Sequence, residues 1–377
     1  MENPLHFTGY IRNVVYKACL ADDLTLYDYA NFDINYAKSF GAVQFGGAQI
    51  AYSKWLSPKR TRSYPFERIY NTYNSPKVMT IVPILKDEGW DGDLDRIQYS
   101  TVSWMNLLNI YIVLTYYRSA EKNLSKGQRG RHKLTNQRFD TQLVNEQIEK
   151  IFRYRQSALH WNRDLLEERF TGVYKMALDS YETISSETGV RVHDREPQLT
   201  YLHRVIGDFE QFRDISLQGS RSAAQRETLV THKMEYLSDG TKGVFHIKNY
   251  LGGVYHLTAD EVVLENDRIV IQESKNSTRD FLPSLSDIKD GLFKLILFAN
   301  LDSLWLDEQP VRFSTRLKLT GQGVSGSIRF PCPGKLLQDF MDANSSKLTQ
   351  RQKKTLDNLN VEANENKNLE IEITGNT

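Results

Sequence analysis

Asp260, Glu273 and Lys275 are the residues of this chain whose types and spacing best suit chemistry. They lie in HLTADEVVLENDRIVIQESK, residues 256–275. Val262, Val263 and Leu264 fill one arm of this stretch and Ile269, Val270 and Ile271 the other, a pattern that predicts two β-strands. Asn266-Asp267 between them tolerates the positive φ that a two-residue hairpin turn needs. That turn sets a register: Glu265 faces Arg268, Leu264 faces Ile269, Val262 faces Ile271 and Asp260 faces Glu273. Lys275 shares the face of Glu273, because side chains alternate along a strand. Like charges directly across a ladder, about 5 Å apart, repel unless something compensates. Magnesium is suited to that task, being held by one or two carboxylates while it keeps several waters. Asp260 and Glu273 would be its ligands, with the Ser274 carbonyl as a third. A metal so held can polarise a phosphoryl oxygen and supply hydroxide, and Lys275 can orient the attacking water or stabilise developing charge. A solvated hairpin edge with a Glu-x-Lys pair carries the same pattern, and that alternative stays open here.

The elements that would position these residues are a helix over 222–237, a strand over 244–251, a helix over 286–301 capped by Ser286, and a strand over 311–319. Asp260 followed by Glu273-Ser274-Lys275 at the end of the next strand, set among those elements, resembles the PD-(D/E)xK nucleases, in particular type II restriction endonucleases. The resemblance covers roughly residues 220–320, and Thr258-Ala259 stands where the motif has proline. It implies a mixed α/β fold with a restriction-endonuclease-like core, a mixed β-sheet flanked by helices. It also implies a Mg2+-dependent, site-specific deoxyribonuclease acting on double-stranded DNA, with Asp260, Glu273 and Lys275 catalytic and Glu227 as an added upstream helical acid. Cutting both strands of a palindrome is most simply done by a two-fold homodimer. A structure-dependent repair or defence nuclease, or a DNA-binding module on a degenerate nuclease fold, are the alternatives.

The remaining sequence sets the frame. A chain of 377 residues exceeds one typical domain. The expected division is an N-terminal α/β region over 1–138, a helical region over 139–219, the nuclease core over 220–335 and a polar tail over 336–377, helical near 348–359 and then disordered. The first two regions are expected to serve recognition and dimerisation. A net charge of +1 excludes a wholesale polycation, so DNA contact must come from local patches. One candidate is Lys54–Lys77, basic and rich in aromatics, with Lys59, Arg60 and Arg62. The other is a flexible loop over 118–138 with Arg129 and Arg131. Val78–Leu85 reads as a strand that Pro83 places at an edge or bulge, residues 103–117 read as a helix, and the aspartates after Lys86 as a solvated acidic loop. Cys19 and Cys332 are too few and too far apart for a zinc site or a disulfide framework, which suits a reducing cytoplasm. No signal peptide or membrane span is evident, the scattered histidines lack metal-ligand spacing, and no nucleotide-loop, hydrolase-elbow or kinase motif occurs.

Overall fold

Alternating and continuous apolar runs in this chain fold into a mixed α/β molecule. The computed structural model describes residues 5–59, 65–124, 132–205, 241–250, 253–266, 268–306 and 308–376, with the backbone alone for Leu5, Leu166, Thr241, Lys242 and Asp260. The strands begin with β1 (Leu5–Ile11), β2 (Leu26–Asp28), β3 (Phe40–Phe45), β4 (Ala48–Lys54), β5 (Val78–Pro83), β6 (Leu85–Asp87), β7 (Leu94–Arg96), β8 (Tyr111–Thr115), β9 (Tyr117–Lys122) and β10 (Leu134–Phe139). They continue with β11 (Thr241–Asn249), β12 (Val254–Glu265), β13 (Arg268–Asn276), β14 (Ser303–Leu306), β15 (Gln309–Val311), β16 (Phe313–Gly321), β17 (Ser327–Phe330) and β18 (Leu369–Gly375). The helices are α1 (Pro65–Thr72), α2 (Tyr99–Leu107), α3 (Thr141–Arg153), α4 (Ala158–Asp164), α5 (Phe170–Thr188), α6 (Arg195–Val205), α7 (Leu285–Ala299), α8 (Gly334–Ala343) and α9 (Gln350–Glu365).

The chain forms two compact units, each discontinuous in sequence. The first comprises residues 1–23, 66–74 and 236–377, and the second residues 24–65 and 75–235. The first is built on a nine-stranded mixed sheet in the order β15-β14-β1-β11-β12-β13-β16-β18-β17. Within it β11, β12 and β13 form an antiparallel meander, α7 follows, and β16 lies parallel to β13. Helix α7 packs on β13 and β16, and its Ile288, Leu292, Leu295 and Ile296 are all buried. Its N-cap is Ser284, whose side chain accepts the Asp287 N–H, and not Ser286 as the sequence suggested. Ser284 is extended at φ −58° and ψ 151°, and the helical turn closes only after it. Phe245 stacks on Phe7 and tilts against Phe298, with both pairs of centroids 4.9 Å apart.

Where α7 packs on β16, Gly291 makes room for the side chains beneath it: a Cβ there would lie 2.7 Å from Leu317 Cδ1 and 3.3 Å from Lys275 Cε. Gly291→Ala gains about 1 kcal/mol of helix propensity. Overpacking against the fully buried Leu317 costs about 1–3 kcal/mol. A net loss on the order of 1 kcal/mol is expected in urea unfolding, and a gain in stability would contradict the close approach.

The polar C-terminal region is part of this unit's sheet and not a disordered tail. Leu369, Ile371 and Ile373 are buried along β18, which sits between β16 and β17, while Glu370 and Glu372 of the same strand reach Arg316. Leu356, Leu359 and Ala363 anchor α9, whose start is fixed by a capping box between Thr349 and Gln352. Glu362 of α9 is fully buried: Oε1 accepts the Tyr16 hydroxyl at 2.6 Å, and Oε2 accepts the Tyr70 hydroxyl at 2.6 Å and the Cys19 N–H at 3.1 Å. Burial pushes its carboxyl up to about 7 against the downward pull of those donors.

The second unit carries a five-stranded sheet in the order β2-β3-β4-β5-β8. Pro83 is the last residue of β5, an interior strand, so its missing N–H falls where the ladder ends and not at an edge or bulge. The helix expected over 103–117 stops at Leu107. Asn109 turns left-handed at φ 55°, and Tyr111–Thr115 continues as β8, buried at every residue. Periodicity cannot separate a buried strand from a buried helix in so apolar a run. The acidic stretch is a solvated loop only in its middle, where Asp91 and Asp93 are exposed between β6 and β7. Asp87 is buried and takes the N–H groups of Gly89 and His193, and Asp95 is buried against Ser57 and Lys59. Helices α3 to α6 fill most of residues 141–205, as the sequence indicated.

Candidate active site

The hairpin forms with the register its turn dictates. Glu265 pairs with Arg268, Leu264 with Ile269, Val263 with Val270, Val262 with Ile271 and Glu261 with Gln272, around Asn266 at φ 49°. These pairs end one step short of Asp260 opposite Glu273. The backbone of Asp260 lies in β12, and its side chain lies outside the described residues. Against β11, β12 carries a bulge: Gly243 pairs with Ala259, but Thr241 pairs with Val262. The extra residue switches the buried positions from Tyr255, Leu257 and Ala259 to Val262. Bulges of this kind re-aim side chains and recur beside active sites. Asp260 stands at this one.

Glu273 and Lys275 project from the end of β13 toward α7, which supplies two residues that sequence reasoning missed. Glu273 Oε1 takes the Lys294 ammonium at 2.5 Å and the Lys275 ammonium at 3.2 Å. Lys275 Nζ also contacts Asp290 Oδ2 at 2.8 Å. Burial lowers the Lys275 pKa, but Asp290 and Glu273 outweigh it and the net shift is upward, so the ammonium stays charged at neutral pH. Asp290 and Lys294 are four residues apart, about one helical turn, and that spacing is the signal that could have revealed them. The Ser274 side chain faces away from Glu273 and donates to Glu261 Oε2 at 3.0 Å, as does Gln272 Nε2 at 2.6 Å.

Carboxylate and carbonyl oxygens are the donors a hard divalent cation prefers. Glu273 Oε2 accepts no hydrogen bond from a described residue, so one oxygen of the carboxylate is available to such an ion. Among the described residues no group of three or more His, Cys, Asp or Glu side chains is arranged to hold a metal, and the Asp260 side chain is not among them. The Glu227 position also lies outside the described residues.

The expected DNA-contacting residues divide. Arg60, Arg62, Arg129 and Arg131 lie outside the described residues. Lys59 is described, and its ammonium is 2.8 Å from Asp95 Oδ1. Two further cations of the 54–77 stretch serve the second unit's interior. Lys54 donates to the carbonyls of Ile34 and Ala37, and Lys77 to those of Ile151 and Tyr154. Of the interleaved aromatics, Trp55 in the second unit and Phe66 and Tyr70 in the first are fully buried. No helix among the described residues is long and apolar enough to cross a membrane. Comparison of the chain with known family models, with curated proteins and with solved structures gave no match.

Proposed function

We propose that this chain is a Mg2+-dependent endonuclease of double-stranded DNA, of the type II restriction kind, built on a PD-(D/E)xK core in its first unit. One observation carries the reading. Glu273 and Lys275 share one face at the end of β13, one step beyond a hairpin register that leads to Asp260, in a meander followed by a helix and a parallel strand. Glu273 and Asp260 would hold the ion, with the Ser274 carbonyl beside them. Bound Mg2+ would polarise the scissile phosphoryl oxygen and supply hydroxide. Lys275, kept charged by Asp290 and Glu273, stabilises charge developing on the phosphate and orients the attacking water. Helix α7 fixes the lysine by placing Asp290 within hydrogen-bond reach. A homodimer would present two such sites to the two strands.

The test is plasmid DNA incubated with the protein and Mg2+. Discrete bands are expected, and Glu273→Ala should slow their appearance by about a hundredfold or more, the scale of losing a metal ligand or its supporting partner. A smear would point to relaxed, structure-dependent cutting. Retarded but intact DNA would leave a binding module and overturn the enzymatic reading.

A further inference from the structure

We propose that the second unit holds a binding pocket for a single nucleobase, in the cavity between β6, α5 and α6, where His193, held by Asp87, and Gln198 read the edge of the ring. The inference does not depend on the metal-site reading of the first unit. The cavity measures about 200 Å3. Pockets for drug-sized ligands run to roughly 300–1,000 Å3, so this one suits a fragment the size of one ring system. Leu85, Leu178, Val192 and Tyr181 give it apolar and aromatic walls.

The charged groups of the lining are already matched. Arg191 pairs with Asp194 at 3.2 Å, and Arg195 pairs with Asp179 at 2.7 Å and Glu182 at 3.1 Å. The hydroxyls are used as well: Tyr181 donates to Gln137 Oε1 and Ser185 to the Val190 carbonyl. Two neutral groups are left. Gln198 is 3% exposed, and its Oε1 accepts Arg96 Nε at 2.9 Å and Nη2 at 2.6 Å, which turns its NH2 the other way with no acceptor among the described residues. His193 Nδ1 lies 2.9 Å from Asp87 Oδ1, and the backbone N–H of the same residue meets Asp87 Oδ2 at 2.9 Å. A carboxylate only accepts, so the neutral ring carries its proton on Nδ1, and Nε2 is an acceptor with no donor among the described residues. The ring is held in place further by Trp90, whose N–H meets the Arg191 carbonyl at 2.7 Å.

An amide donor so buried is costly to leave unmatched, and its partner is then a ligand group or a water. The occupant that answers this lining is neutral, has flat apolar faces, and carries on its edge an acceptor for Gln198 and a donor for His193. Nucleobases combine these properties. A sugar lacks the apolar faces, and a phosphate would meet only arginines that carboxylates already hold.

The test is calorimetric titration of the full chain, without metal or DNA, with adenosine, guanosine, cytidine and thymidine, and with ribose as the control that lacks a base. At least one nucleoside should bind with a Kd below about 1 mM, and ribose should not. Gln198→Glu keeps the oxygen that Arg96 needs but loses the NH2, and should weaken the preferred nucleoside about tenfold, roughly 1.4 kcal/mol. Wild type that binds no nucleoside, ribose that binds equally well, or a folded Gln198→Glu protein that binds as wild type does would each overturn the proposal and leave the nuclease reading untouched. A second measurement needs no variant: in histidine NMR spectra the His193 Nε2 resonance should move as the nucleoside binds, and a stationary resonance in protein that binds would place the base elsewhere. A short single-stranded oligonucleotide carrying the preferred base, titrated in parallel, identifies the source: tighter binding than the nucleoside means a base presented by a strand, and equal or weaker binding means a free nucleoside.

Discussion

Lys275→Met should lower Mg2+-dependent cleavage by about a thousandfold while leaving duplex affinity within about twofold, because the lysine acts on the reacting phosphate and contributes little to ground-state binding. The competing effect is structural. Lys275 bridges Asp290 and Glu273 with a side chain 18% exposed, and removing one partner of a buried pair costs about 3–5 kcal/mol. That could unfold the protein and mimic a catalytic loss. Lys275→Arg separates the two. It keeps a cation between the acids, so stability should hold, but its planar fork cannot place one ammonium where lysine does. Single-turnover cleavage by both variants, beside their melting curves, gives the answer. A folded variant that retains more than about a tenth of the wild-type rate, a barrier change of only about 1.4 kcal/mol, would remove Lys275 from the chemistry.

The parts of this site that could be read from the sequence are those governed by local rules. Asn266-Asp267 and the β-branched arms set five cross-strand pairs, since a two-residue turn leaves one register. The run from Leu285 to Ala299 was recognisable as a helix from its length and apolar content, though the cap lay two residues earlier than expected. What could not be read depends on contacts between distant segments. Compensation of Glu273 by Lys294 arises only because α7 packs across β13, and a single sequence does not reveal which helix face meets which strand. The same limit hid the fate of the last forty residues. LEIEITG alternates as a strand should, but its Glu370 and Glu372 read as solvent-facing until Arg316 is placed opposite them. In the basic stretch over 54–77, Lys54 and Lys77 hydrogen-bond to carbonyls of the interior, and composition cannot distinguish a lysine turned inward from one offered to phosphate.

Glu362 gives the largest expected effect on stability away from the candidate site. Its carboxyl is raised to about 7 in the folded protein. An ordinary glutamate in the unfolded chain titrates near 4.3. Over that interval the folded state holds a proton that the unfolded state has lost, so this group's stabilisation is fully present below about pH 4.3 and disappears as pH rises through about 7. Integrated over the whole interval, the loss is on the order of 4 kcal/mol. Glu362→Gln cannot ionise and should lack this dependence. Its amide oxygen can take the place of Oε2, which receives both the Tyr70 hydroxyl and the Cys19 N–H, and its NH2 can donate to the Tyr16 hydroxyl. Whatever the swap costs is therefore the same at every pH. Measured by urea unfolding between pH 5 and pH 8, the variant should gain on wild type by about 2–3 kcal/mol as pH rises, with all other titrations cancelling in the difference. If the two profiles run parallel, Glu362 is ionised in the native protein at ordinary pH. The three donors around it would then outweigh its burial, and the clasp between α9, α1 and the segment from Tyr16 to Leu20 would be an ionic one, insensitive to pH in this range.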